Sequence, residues 1–127
     1  MPAGSSERIA EGALRRVLLE RCEGGSWEGF ARGVAWEAFA GGARSRPVDA
    51  LADAAAAMLE ALVDEALWAV ERVALDTWYE FLELRPDDVD GALAAARLDA
   101  AEESERLVES ARARVLAALC DEVRRAA

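Results

Sequence analysis

Apolar side chains recur every three or four residues through the middle of this chain. They form two adjacent rows in a segment that runs without Gly or Pro from Val48 to Arg85. The first row is Leu51, Ala55, Met58, Leu62, Ala66, Ala69 and Val73, and the second is Leu59, Val63, Leu67, Val70 and Ala74. This spacing predicts a long amphipathic helix, with Pro47 at its first position. Two rows make a stripe wider than a coiled-coil seam, so we expect the helix to pack on more than one side.

The same pattern predicts two shorter helices before the central one. The first would run from Ser5 or Ser6 to about Cys22, where two glycines follow. The second would cover about residues 27–40, with Ser26 as its N-cap because a Ser hydroxyl can accept a free first-turn N–H.

A further helix is predicted after Pro86, because the acidic residues that follow it suit the first turn of a helix. It continues to Arg125 as one helix, or as two with a bend near Ala100. Residues 78–84 are compatible with either a helix or a short extended segment. The sequence therefore predicts an all-α protein.

Composition removes several kinds of chemistry. The 127 residues carry a formal net charge of −10, contain no His and, since every basic residue is Arg, no Lys. There is thus no imidazole base and no Schiff-base lysine. The acidic balance argues against direct nucleic-acid binding and against an anionic membrane surface. Cys22 and Cys120 lie far apart in apolar helical contexts, so we expect free thiols in a soluble, intracellular protein.

Carboxylates are the abundant reactive groups, and Glu60, Asp64 and Glu71 share one face of the central helix. Helical bundles that hold two metal ions add Glu-x-x-His pairs to such carboxylates, and this chain has no His. A solvated acidic face is therefore the better interpretation. The four Trp residues favour core or interface anchoring over a ligand pocket. We predict no catalytic, cofactor-binding or metal-binding residues and no enzyme activity.

The order of these elements resembles the histone fold. Residues 30–35 match its short first helix, residues 63–67 (Val-Asp-Glu-Ala-Leu) match a run in the middle of its long helix, and residues 86–89 resemble the P-x-D-V start of its third helix. The closest similarity is to the histone-fold subunits of general transcription factor TFIID and of centromere complexes. Over about residues 27–98, the resemblance implies a handshake dimer in a transcription or chromatin-associated complex. The DNA-facing basic residues of nucleosomal histones are absent, so it does not imply DNA wrapping.

Two architectures follow. The first has an N-terminal extension with a helix at residues 1–26, a histone-fold-like helical core at residues 27–98 and a C-terminal helix at residues 99–127. The second is an antiparallel bundle in which the central and C-terminal helices form one long hairpin about Pro86. An extended segment at residues 78–84 favours the first architecture, and a helical segment favours the second.

Both architectures leave apolar helix surface for a partner, which we expect to be the chain itself or a related helical protein, in a dimer or higher oligomer. We predict a non-enzymatic interaction subunit that dimerises through its central helix, nuclear if the histone-fold resemblance holds and otherwise cytoplasmic. The alternative is a self-associating helical bundle, of bacterial or designed origin, with a structural or ligand-binding role. The predicted contact residues are Leu51, Met58, Leu59, Leu62, Val63, Leu67, Val70 and Trp78.

A third hypothesis is a small-molecule-binding or carboxylate-metal helical enzyme. Its binding pocket would be lined by Trp27, Trp36 and Trp68. A pocket that brings these rings together would favour it, as would stoichiometric metal in the purified protein.

Overall fold

The computed structural model describes the backbone of residues 1–2 and 4–126 and the side chains of residues 1–2 and 4–121. Over this part of the chain there are four α-helices and no strand: α1 (Ser5–Arg21), α2 (Trp27–Ala40), α3 (Val48–Leu84) and α4 (Val89–Ala126). A short 3-10 turn at Glu23–Gly25 lies between α1 and α2. The predicted all-α class is confirmed.

The break between α1 and α2 follows from two glycines and a cap. Gly24 and Gly25 have φ angles of 84° and 63°, in the left-handed region that Gly adopts at little cost. A Cβ at Gly25 would also lie 2.6 Å from Leu19 Cγ. Ser26 then caps α2 as predicted, since its Oγ accepts a 3.0 Å hydrogen bond from the Gly29 N–H.

The central helix, α3, is 37 residues long and continues through residues 78–84. Of the two conformations compatible with this segment, the structure has the helical one, which favours the hairpin bundle. Pro47 lies one residue before the helix, with an extended ψ of 151°, and is therefore not at its first position. The helix ends at Leu84 because Arg85 precedes Pro86, and a residue before Pro avoids the α region.

The C-terminal helix, α4, begins with a side-chain cap. Asp88 Oδ1 accepts a 2.9 Å hydrogen bond from the Gly91 N–H. Gly91 has a packing role too, since a Cβ there would lie 2.7 Å from Phe81 Cζ and collide with the Asp88 carboxylate. The helix then continues without a break to Ala126, so the expected boundary between residues 98 and 99 lies inside one helix. No Gly or Pro after Gly91 interrupts it.

The two long helices form an antiparallel hairpin joined at residues 85–88. Thr77 Oγ1 on α3 donates a 2.6 Å hydrogen bond to Asp99 Oδ2 on α4. The seam of α4 is a row of buried residues three or four positions apart. Its members are Ala92, Ala96, Ala100, Ser104, Val108, Ala111, Val115 and Leu119. Small side chains occupy the half of the seam near the turn, so the helices approach each other through Ala there.

The shorter helices α1 and α2 complete the core on the hairpin. Ser6 Oγ on α1 donates a 2.9 Å hydrogen bond to Glu71 Oε1 on α3. Arg21, at the end of α1, pairs with Glu105 and Glu109 on α4, each at 2.5 Å. α2 makes its largest contact with α3. The chain thus covers much of the apolar stripe of α3 with its own helices.

This packing changes the assignment of several predicted contact residues. Leu51, Leu59 and Val70 are at most 1% exposed and belong to the core of the same chain. Their burial leaves at most 1% of each residue's surface open to a partner while this bundle is intact. The physical reason is that α4 matches α3 in length, so the partner that the double apolar row requires is supplied within the chain.

Candidate interaction surface

The side of α3 that points away from the core carries large apolar side chains in solvent. Trp68 is 67% exposed and Tyr79 is 57% exposed. Between them lie Arg72, which is exposed, and Leu75, which is half-buried. Burying Trp and Tyr removes a large apolar area from water, and both residues are enriched where proteins bind each other. We call this surface the Trp68 face; its residues are Ala57, Ala61, Asp64, Glu65, Trp68, Arg72, Leu75 and Tyr79.

The spacing along the Trp68 face is that of a helix that pairs with another helix. Starting at Ala61, its positions 61, 65, 68, 72, 75 and 79 follow alternating steps of four and three residues. Such steps keep the side chains on one side of a helix, in register with a second helix alongside. Trp68 and Tyr79 stand outside both apolar rows that the core uses.

Charges on the Trp68 face lie on either side of Trp68. Asp64 and Glu65 precede it, and Arg72 follows it. The Arg72 Nε lies 3.7 Å from Asp76 Oδ1, and both side chains are mostly exposed. An exposed pair at this distance contributes little stability, so the guanidinium is available to a partner's carboxylate.

A cleft of about 500 Å³ adjoins this face, between α3 and α4. Trp27, at the start of α2, forms one wall and packs edge-to-face on Phe30 with ring centroids 5.7 Å apart. The remaining lining is mostly apolar, with one acid and one base. These residues are Leu62, Glu65, Ala66, Trp68, Ala69, Leu107, Ser110, Ala111 and Arg114.

A second cleft, of about 460 Å³, lies on the other side of Trp27 and includes Leu59, Val63 and the carboxylates of Glu60 and Asp64. Both clefts lie beside the break between α1 and α2. From Glu60 to Ala69, α3 has no fully buried side chain. The break in the covering helices therefore opens the middle of α3 to solvent.

The predicted contact residues thus fall into three groups. Leu51, Leu59 and Val70 are core. The second group packs partly buried against that core and consists of Met58, Leu62, Leu67 and Trp78. Val63 lines the second cleft. The predicted set did not include the exposed Trp68 and Tyr79, although the alternating steps of four and three residues that contain them were a usable signal.

Of the three Trp residues proposed to line one pocket, the structure brings together Trp27 and Trp68. Trp36 lies elsewhere, 55% exposed on α2 and packed against Phe39 with ring centroids 5.9 Å apart.

The carboxylates of the central helix are divided between two environments. Glu60 and Asp64 line the second cleft, whereas Glu71 accepts the hydrogen bond from Ser6. Within the described part of the chain, no three Cys or carboxylate side chains gather closely enough to hold a metal ion. The thiols of Cys22 and Cys120 are free.

No protein-family model, curated protein or solved structure matches this chain. Across the described residues, no helix combines the length and apolar character needed to cross a membrane.

Proposed function

We propose that this protein is a non-enzymatic interaction module that pairs with a second copy of itself through the Trp68 face. The observation that carries the proposal is the exposure of Trp68 and Tyr79 on a face with the spacing of a helix pair. The proposal keeps the predicted role of the central helix in dimerisation, but it assigns the contact to the Trp68 face, on the side of α3 opposite the core.

The charges of the face favour an antiparallel pair of α3 helices. If a twofold axis passes through Trp68, each residue faces the one equally far from Trp68 in the second copy. Arg72, four residues after Trp68, then faces Asp64, four residues before it, and lies beside Glu65. The axis repeats this contact, so the dimer has two acidic–basic contacts, one on each side of a central Trp68 pair. Such reciprocal contacts define an isologous interface.

The sizes of the side chains fit the same register. Leu75, seven residues after Trp68, faces Ala61, seven residues before it. Tyr79, eleven residues after Trp68, faces Ala57. Away from the central Trp68 pair, Leu75 and Tyr79 are thus each opposite a small, exposed side chain that leaves room for them. Both charge and size complementarity arise within a single sequence, which favours a second copy over an unrelated partner.

The first test is the solution mass across a dilution series, by light scattering or sedimentation. We expect the wild type to shift from twice its 13.6 kDa toward the monomer on dilution. Trp68→Glu should weaken the dimer at least about 30-fold, because buried Trp anchors contribute 2 kcal/mol or more. Trp36→Glu, at a similarly exposed Trp on α2, is the matched control and should leave the dimer intact. A wild type that is monomeric at high concentration would contradict self-pairing.

The second test examines the register. Asp64→Arg alone places like charges together across the axis, and so does Arg72→Glu, so either variant should weaken the dimer. The double variant exchanges the two charges and should restore much of the lost affinity. If Trp68→Glu dissociates the dimer but the double variant does not recover, pairing through this face stands and the antiparallel register is wrong.

A small apolar ligand in the first cleft, between α3 and α4, is a second candidate function, favoured by the side chains of Trp27 and Trp68 that line about 500 Å³ there. Pockets for small molecules have volumes of this order, roughly 300–1,000 Å³. Quenching of Trp fluorescence by a neutral aromatic probe, lost in Trp27→Ala and retained in Trp36→Phe, would support it. The association with transcription or chromatin, and the nuclear or cytoplasmic location, stay predictions of the sequence.

A further inference from the structure

A groove of about 450 Å³ lies between α1 and α4 and collects positive charge in an acidic protein. Three arginines line it: Arg8 and Arg16 from α1 and Arg97 from α4. Its other lining residues are small or apolar, namely Ser5, Ile9, Gly12, Ala13, Leu93 and Ala101. None of the described residues that line this groove is acidic.

These arginines differ from most others in the described part of the chain. Arg21, Arg32, Arg72, Arg106 and Arg112 each form an ion pair with a carboxylate. Arg44 and Arg85 lie over aromatic rings. Among the described residues, the arginines with neither kind of contact are Arg8, Arg15, Arg16, Arg97 and Arg114.

Three of those five guanidiniums therefore line one groove, in a chain whose acidic residues outnumber its basic ones by 25 to 15. Like charges that share a groove repel each other, and the binding of an anion relieves this repulsion. Guanidinium groups also present paired N–H donors that match the oxygens of carboxylates and phosphates.

The floor of the groove adds a second requirement. Ile9, Ala13, Leu93 and Ala101 are each only partly buried, so apolar area remains for a ligand to cover. Gly12 leaves the middle of the groove open, since a Cβ there would meet no atom within 4 Å. A small inorganic anion would leave these apolar side chains exposed to water, whereas a hydrocarbon chain would cover them.

We infer that the groove between α1 and α4 binds an organic anion with an apolar body, its charged head on the guanidiniums of Arg8, Arg16 and Arg97 and its hydrocarbon part on the floor. This binding site is independent of the Trp68 face and of dimerisation.

The test measures binding affinity by calorimetry. Decanoate is the probe, and neutral decanol and short-chain acetate are the comparison ligands. We expect decanoate to bind more tightly than either comparison ligand. Arg97→Ala should weaken the binding of decanoate at least about tenfold, which is the effect of losing one charge-assisted hydrogen bond. Arg15→Ala, at an exposed arginine of α1 outside the groove, should change the affinity less than about twofold, since its guanidinium makes no charge-assisted hydrogen bond to the ligand.

Gly12→Leu tests the position of the ligand without weakening the fold. The new side chain enters open space and improves helix propensity, so the melting temperature should not fall. Decanoate affinity should nevertheless drop, because Leu fills the groove. Decanol binding as tightly as decanoate, equal losses in Arg15→Ala and Arg97→Ala, or unchanged affinity in Gly12→Leu would each overturn the inference.

Discussion

Replacing Ser104 by Ala should stabilise the protein, although Ser104 lies in the centre of the α4 seam. Its side chain is fully buried, and its Oγ has no hydrogen-bond partner among the described residues. A hydroxyl that leaves water without gaining a partner costs roughly 1–3 kcal/mol. Ala removes that oxygen and keeps the Cβ that fills the seam.

Two contributions add to the expected gain. Ala is a better helix former than Ser by up to about 0.7 kcal/mol in any helix interior. Ser110→Ala, at an exposed position of the same helix, measures this contribution alone. Ser104→Ala should exceed it by about 1 kcal/mol or more, the cost of the unpaired hydroxyl. In a chain of 127 residues, 1 kcal/mol corresponds to a rise in Tm of about 4 °C.

The assay is thermal and urea unfolding of the wild type and both variants at one protein concentration, since dimerisation makes Tm depend on concentration. If Ser104→Ala gains no more than Ser110→Ala, the hydroxyl is not an unpaired group. If Ser104→Ala is less stable than the wild type, the oxygen makes a favourable contact, which contradicts its assignment as an unpaired group.

Two further predictions concern the hairpin turn and an ion pair. Gly91→Ala should destabilise the protein by about 1–3 kcal/mol, because the new Cβ collides with Phe81. Gly33→Ala, in open space on α2, should stabilise it by up to about 1 kcal/mol. Equal urea midpoints for the two variants would contradict this prediction. The hydrogen bond from Arg21 holds the pKa of Glu109 below its usual range. The stability that Glu109 contributes should be present above about pH 4.3 and lost as pH falls through its lower folded pKa, so wild type and Glu109→Gln should converge in acid. If the difference in unfolding free energy between wild type and Glu109→Gln does not change with pH, this assignment is refuted.

Local sequence signals determined where the helices begin and end. Ser26 caps α2, Asp88 caps α4, and Pro86 closes α3, each through contacts within a few residues. Such contacts depend on neighbours along the chain, so composition and spacing are sufficient to predict them. Two details differ: Pro47 lies one residue before α3 and not at its first position, and the sequence left residues 78–84 open because helix and strand patterns coincide in a short apolar run.

The tertiary structure decided which surfaces remain for a partner. A periodic apolar row requires a covering element, but it does not say whether that element belongs to the same chain or to another. Here the other helices of the same chain bury Leu51, Leu59 and Val70, whereas Trp68 stays 67% exposed. The collection of Arg8, Arg16 and Arg97 in one groove likewise joins residues more than 80 positions apart. Long-range pairing of this kind has no signature in local spacing, and only the packing of the helices establishes it.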